Sequence, residues 1–266
     1  MTTKTKRVYI ERYYDSHEVE GEEVGQSWEH FAAIEYLLAL LNCLFYGQQV
    51  GIGSSINLYQ TEHPKERPKS PDVMIVDGLN IAELDNKKGT PSYYIGEDGS
   101  PPRVAFEISS YETWKTDLEE KPAKYAAMGI REYFAFDPIV SGLWRDKWHE
   151  YGRLIGWRKE SNSSQYQEIP KDELGRLWSE QLQSWLVVEG KLLRLYTAEG
   201  QVRLTKEEME YRRAETERQL RIMAENQTET IRRKAEENER QLETEREHAK
   251  KLAELLRRHN LDPDNL

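Results

Sequence analysis

Asp72 and Glu107 are the residues of this chain whose type and setting most demand a chemical explanation. Each is a lone carboxylate in apolar company: Ser70-Pro71-Asp72 leads into Val73-Met74-Ile75-Val76, and Glu107 sits inside Val104-Ala105-Phe106-Glu107-Ile108. Desolvating a charge inside a strand costs several kcal/mol unless a cation or a set of donors compensates it. A helix bearing Lys121 and Lys124 follows the second strand. Two acids and a nearby lysine are the parts that metal-dependent phosphodiester cleavage requires: oxygen ligands for a divalent ion, water made acidic by it, and a cation that orients the water or offsets charge at phosphorus. If the two strands are neighbours, Asp72, Glu107 and the backbone carbonyl of Ile108 supply the oxygens. Lys121 or Lys124, three apart on one helical face, supplies the cation. Taken singly the residues are ordinary. Pro-Asp before a strand is common turn chemistry, and one glutamate can be half of a structural ion pair.

The elements that must position these groups can be read from periodicity. Ser27 caps a helix predicted from Trp28 to about Tyr46, where Phe31, Ile34, Leu37, Leu38, Leu41 and Phe45 recur at three- and four-residue steps and Gly47 supplies the stop. A loosely alternating strand is expected over 49–59, then a polar loop full of breakers to Pro71, a strand over 73–76 ended by Asp77-Gly78, and a long loop over 78–101. The strand 103–108, a helix from Thr116 to Met128 with Gly129 as its stop, and the strand Glu132 to Phe136 complete the unit. That order fits an α/β (α+β) layer in which one helix packs on a mixed sheet. From about residue 139 to 200 the chain reads as a β extension of the same domain, with a hairpin turning at Glu189-Gly190.

From Lys206 to Arg258 there is no Gly or Pro, and Glu, Arg, Lys, Gln and Ala predominate. Pairs four apart, such as Glu217/Arg221 and Glu229/Arg233, support one long helix. Its apolar residues Met209, Leu220, Ile231, Leu242 and Ala253 fall at steps of eleven, the period of a nearly straight or slightly right-handed coiled coil. Both a solvated single helix and a weak dimerising coil fit the pattern. Residues 259–266 are expected to fray.

Composition narrows the classes. The net charge is −10, and up to about residue 200 there are 23 basic and 32 acidic residues. That balance does not favour tight sequence-independent binding to polyanions, although a local cleft can still be basic. Cys43 is the one cysteine, and the six histidines show no ligand spacing, so a disulfide framework and a zinc site are not expected. The basic N-terminus leads into a Tyr-, Glu- and Asp-rich run rather than an apolar signal core, and no segment is apolar enough to span a bilayer. A cytoplasmic protein with no membrane partner is the expectation.

The run from Phe106-Glu107-Ile108 through Asp117, Lys121, Tyr125, Gly129 and Tyr133 to Asp137-Pro138, together with Ser70-Pro71-Asp72, resembles the bacterial Uma family of restriction endonucleases within the PD-(D/E)XK nuclease superfamily. The resemblance extends over most of residues 20–200, including Leu44 to Val50 and Leu174 to Glu180. It implies a restriction-endonuclease-like fold and Mg2+- or Mn2+-dependent endonucleolytic cleavage of DNA. It makes Asp72 and Glu107 metal ligands. The superfamily lysine stands two residues after the glutamate, where this chain has Ser109, and the resemblance moves that role to Lys121. Pro122, directly after Lys121, and Gln26, where similar members often carry glutamate, depart from the pattern. They motivate an alternative reading: a catalytically degenerate adaptor acting through its helical tail. A homodimer through the nuclease domain or the C-terminal helix fits either reading. Among the remaining residues, Asp117 is expected to support a helix N-terminus through a Thr116/Glu119 capping box, Tyr125 and Tyr133 to be core residues with a polar handle, His30 to be packed or capping, and the tryptophans at 144, 148, 157, 178 and 185 to form a small core.

Overall fold

The computed structural model describes residues 27–60, 68–79, 92–160, 163 and 165–258. The helix α1 (Trp28–Leu44) is followed by β1 (Val50–Gly53), β2 (Asn57–Gln60), β3 (Val73–Asp77), β4 (Ser92–Ile95) and β5 (Val104–Ile108). Two short helices, α2 (Trp114–Glu119) and α3 (Lys121–Ala127), precede β6 (Glu132–Phe136). A 3-10 turn over Asp146–Tyr151 leads to β7 (Leu154–Lys159), β8 (Tyr166–Glu168), β9 (Leu177–Ser179), β10 (Ser184–Glu189), β11 (Leu192–Tyr196) and the long α4 (Lys206–Arg258).

The fold is mixed α/β. Its main sheet runs β1-β3-β5-β6-β7-β8, with β5 and β6 parallel and the other neighbours antiparallel. A parallel pair needs a crossover, and α2 with α3 provides it. One face of the sheet packs Ile75, Phe106 and Phe134 against Ile34, Leu37 and Leu41 of α1, with Leu186 and Leu195 of the β9-β10-β11 sheet joining the same core. The other face packs Met74, Ala105 and Tyr133 against Leu118, Tyr125 and Met128, with Leu58 and Tyr93 from the β2-β4 pair. Helices therefore cover both faces, the arrangement of a mixed sheet with flanking helices. Every residue of β5 and of β6 is buried, which requires a layer on each face.

Register fixes the placement of the acids. Val73 pairs with Phe106 in the antiparallel β3–β5 ladder, so one step further sets Asp72 opposite Glu107. Directly opposed residues point to the same face of a sheet, and both carboxylates lie on the face covered by α2 and α3.

Several expectations change in detail. The strand foreseen over 49–59 divides, because Ser55 takes a left-handed backbone (φ 53°) between β1, which joins the main sheet, and β2, which leaves it to pair with β4. The segment Ser92–Ile95 emerges as a strand from what the sequence suggested was loop. Residues 61–67, 80–91, the N-terminal 1–26 with Gln26, and the tail 259–266 lie outside the described residues. The tryptophans divide between two places: Trp144 and Trp157 belong to the cluster beneath α2 and α3 and Trp148 packs against it, whereas Trp178 packs edge-on against Trp185. The second pair lies on the β9–β10 ladder, away from that cluster.

The helix α4 is continuous for 53 residues and belongs to a second compact unit beginning at Glu207. Of the predicted ion pairs along it, Glu229 and Arg233 meet at 3.1 Å, whereas Arg221 turns to Glu225 (3.0 Å) and Glu217 lies 3.5 Å from Arg213. No helix among the described residues is long and apolar enough to cross a membrane.

Candidate active site

The site is assembled at the end of β5. Asp72 lies just before β3, and its Oδ2 accepts a 2.7 Å hydrogen bond from the backbone N–H of Ile108, which ties the carboxylate to the neighbouring strand. The same oxygen is 3.4 Å from Nε2 of His30. Ser27 caps α1 as expected, its hydroxyl accepting from the backbone N–H of His30 at 3.2 Å, and this sets the first helical turn beside Asp72. Burial alone would lower the His30 pKa, but the Asp72 carboxylate beside it and the Ile108 carbonyl outweigh burial and raise it.

Glu107 is buried, 2% exposed. Its Oε1 receives Lys121 Nζ at 2.9 Å and the Tyr125 hydroxyl at 2.5 Å. Burial dominates nonetheless and holds the Glu107 carboxyl well above the usual carboxylate range. Lys121 and Tyr125 oppose that shift, while the charges of Asp72 and Asp117 add to it.

Lys121 is positioned by the proline that threatened it. The single helix expected over 116–128 breaks at Glu120, and Lys121 becomes the first residue of α3 with Pro122 directly after it. Pro is favoured in the first turn of a helix, where its missing N–H has no intrahelical partner to lose. The break points the Lys121 ammonium at two acids, Glu107 and Asp117, the latter at 2.8 Å. Burial would lower the Lys121 pKa, but these two carboxylates carry it well above its ordinary value. Lys124, the other lysine considered, pairs with Glu120 at 2.6 Å at a more exposed position and does not join the site.

Asp117 corrects the sequence reading. The helix α2 starts at Trp114, so Thr116 lies inside it and the Thr116/Glu119 capping box does not form. Initiation is earlier because Ser110 and Thr113 exchange hydrogen bonds, from the Ser110 N–H to Thr113 Oγ1 and from the Thr113 N–H to Ser110 Oγ. Asp117 is fully buried, holding Lys121 with one oxygen and accepting from the Thr113 hydroxyl with the other at 3.0 Å. Burial raises its pKa, against the pull of Lys121 and Thr113. Tyr125 and Tyr133 are core residues, but both handles serve the site: Tyr125 donates to Glu107, and the Tyr133 hydroxyl donates to the Asp117 carbonyl at 2.7 Å.

Asp72, Glu107 and Lys121 are thus brought together, and Asp117, Tyr125 and His30 complete a cluster that the sequence did not assign to them. The signal was present: Asp117, Lys121 and Tyr125 recur at four-residue steps. A buried strand acid need not be functional. Glu132 in β6 is also fully buried, but Arg158, the Ser179 hydroxyl and the backbone N–H groups of Glu180 and Gln181 all donate to it. That set compensates its charge and ties β6 to the β9–β10 segment. Glu107 has two such partners and remains short of compensation.

Two carboxylates, Asp72 and Glu107, could supply oxygen ligands to a small hard divalent cation. Among the described residues no three His, Cys, Asp or Glu side chains converge as a metal-ligand group, and magnesium is commonly bound by one or two carboxylates with the remaining positions taken by water. Buried polar atoms without a hydrogen-bond partner, His30 Nδ1 and Ser109 Oγ, belong to this neighbourhood of the chain. Ser109 contributes its backbone N–H to the Phe136 carbonyl.

The raised Glu107 pKa carries a sign for stability. A group whose folded pKa lies above its unfolded value contributes stability that is complete below the unfolded value, about 4.3 for glutamate, and is lost as pH rises through the folded one. Glu107→Gln does not titrate. Its stability relative to the native chain, measured by urea unfolding in chelator, is expected to improve steadily from about pH 4.3 towards alkaline pH. A relative stability that falls over that interval would contradict the burial argument.

Comparison with known proteins extends these observations. The family model Uma2, described as a putative restriction endonuclease, matches residues 14–188. The crystal structure of a putative nuclease belonging to DUF820 from Anabaena variabilis is similar over 59% of this chain and 77% of its own, with 12% identity and a TM-score of 0.37. No curated protein matches the chain.

Proposed function

Because the chain belongs to the Uma2 family, described as putative restriction endonucleases, we propose that it is a metal-dependent endonuclease hydrolysing phosphodiester bonds in DNA. The observation that carries this reading is the meeting of Asp72, Glu107 and Lys121 at the end of β5, with Glu107 short of positive charge. Asp72, Glu107 and the Ile108 carbonyl would hold Mg2+ or Mn2+, which supplies charge against the phosphate and makes water acidic.

The remaining roles belong to the chain itself. Lys121 is held protonated by Glu107 and Asp117, so it serves as a cation that orients water or offsets charge at phosphorus, and not as a base. Asp117 anchors that ammonium from the helix side, with Thr113 fixing its other oxygen. Tyr125 holds the Glu107 carboxylate in one orientation, and the Ile108 N–H and His30 do the same for Asp72.

The test uses the purified full chain with supercoiled plasmid in Mg2+, Mn2+ or chelator. Nicking that requires the metal is expected. Absence of cutting across metals and across DNA and RNA substrates would remove the enzymatic reading. The adaptor alternative is favoured by Ser109 in place of the superfamily lysine and by the acidic charge of the chain. Calorimetric titration with Mn2+ separates the two: an endonuclease binds the ion and loses that binding in Glu107→Ala, whereas an adaptor shows no binding that depends on Glu107.

A further inference from the structure

The helix α4 carries a seam that its own chain leaves exposed. Over Lys206–Arg258 more than half the residues are charged, yet one line along the helix holds none. It consists of the eleven-step residues Met209, Leu220, Ile231, Leu242 and Ala253, interleaved by Thr216, Gln227, Asn238 and Ala249. Alternating steps of seven and four keep these positions on one face at about 3.67 residues per turn, and Arg213, Ala224, Ala235 and Arg246 fill the wider steps, so the face is uncharged from Thr216 to Leu242. Leu220, Ile231 and Leu242 are 61%, 62% and 50% exposed. Tyr211, Ile222 and Leu255 also recur at elevens, but Arg233 interrupts their line, and that face is not continuous.

We infer that α4 pairs with α4 of a second copy of this chain as a parallel, in-register, two-stranded coil. In that arrangement every layer of the seam is homotypic: leucine meets leucine, Ile231 meets Ile231, and Asn238 meets Asn238. An amide side chain carries both donors and acceptors, so Gln227 and Asn238 can each satisfy their counterparts in the second copy, and buried polar layers of this kind fix register. An antiparallel pairing centred on Ile231 sets Leu220 against Leu242 but Gln227 against Ala235 and Asn238 against Ala224, leaving the amides facing hydrocarbon.

The charges beside the seam select the same orientation. On one flank stand Glu217, Thr228, Glu239 and Lys250, and on the other Arg212, Met223, Lys234 and Glu245. In a parallel pair each residue of the first flank faces the residue five positions earlier on the second flank of the other helix, as the flanking positions of coiled coils do. The facing pairs are Glu217 with Arg212, Thr228 with Met223, Glu239 with Lys234 and Lys250 with Glu245. Three are of opposite charge and none is of like charge. A helix of 53 residues runs roughly 80 Å, enough for repeated weak layers to sum.

Single cysteines at Leu220, Ile231 or Leu242 in the full chain, with Cys43→Ser to remove the native thiol, test the arrangement under mild oxidation. Each variant is expected to cross-link to itself in high yield, and the native chain is expected to sediment as a dimer. The triple variant Leu220→Glu, Ile231→Glu, Leu242→Glu is expected to be monomeric with its helix content retained. A native chain that is monomeric at all accessible concentrations overturns the proposal. So does a triple variant that stays dimeric, or a Leu220→Cys, Leu242→Cys pair that joins mainly 220 to 242.

Discussion

Asp72→Asn is expected to lower metal-dependent plasmid nicking at least ~100-fold, beyond the scale on which partners behind a metal ligand act, while leaving stability almost unchanged. Asparagine keeps an oxygen to accept from the Ile108 N–H, so the tie between β3 and β5 survives. What disappears is the negative charge opposite Glu107. A hard divalent ion bound by few protein oxygens depends on each carboxylate, and the loss falls on cleavage rather than folding. Initial nicking rates with saturating Mg2+ beside urea midpoints make the comparison. A variant that folds and cuts as fast as the native chain would remove Asp72 from the site.

Lys121→Met is expected to lower stability by about 3–5 kcal/mol, the cost of taking one partner from a buried ionic cluster. The ammonium is the one cation within salt-bridge distance of both Glu107 and Asp117 among the described residues. Without it two buried carboxylates face each other, and each must take up a proton or stay charged in apolar surroundings. The deficit is therefore largest at alkaline pH and shrinks as pH falls and the acids protonate. Adding Glu107→Gln to Lys121→Met should return part of the loss, because one of the stranded charges is gone. Urea unfolding of the three variants at two pH values measures this. A loss indifferent to pH and to the second substitution would mean that Lys121 acts through packing alone.

These expectations rest on residues that differed in how readily the sequence disclosed them. Asp72 and Glu107 stood out because a charge in an apolar strand is conspicuous in one dimension, and their opposition follows once β3 and β5 are neighbours. Glu132 is equally buried yet inconspicuous in the sequence, because its compensation comes from Arg158 in a neighbouring strand and from donors some fifty residues further on. Asp117 was misread for a related reason. A Thr–x–x–Glu pattern describes a helix start in isolation, and here the Ser110/Thr113 exchange begins the helix a turn sooner. Pro122 was foreseen as a break, but whether a break removes or aims a side chain depends on what the redirected helix faces. The α4 helix was legible almost to the residue, since its length and bias need no tertiary partner to be recognised.

The pairing of Val73 with Phe106 has one more consequence. The alternation that buries Val73 and Ile75 on one side of the sheet is the same alternation that turns Asp72 towards Glu107 on the other. Core and chemistry are thus measured on a single ruler. Sliding β3 by one residue would rotate Asp72 away from its partner and at the same stroke turn two apolar side chains out of their core. The site cannot drift by gradual adjustment of the strands. Over evolutionary time it can be kept, or erased by a point change at 72 that the fold scarcely registers, but it cannot be shifted along the sheet.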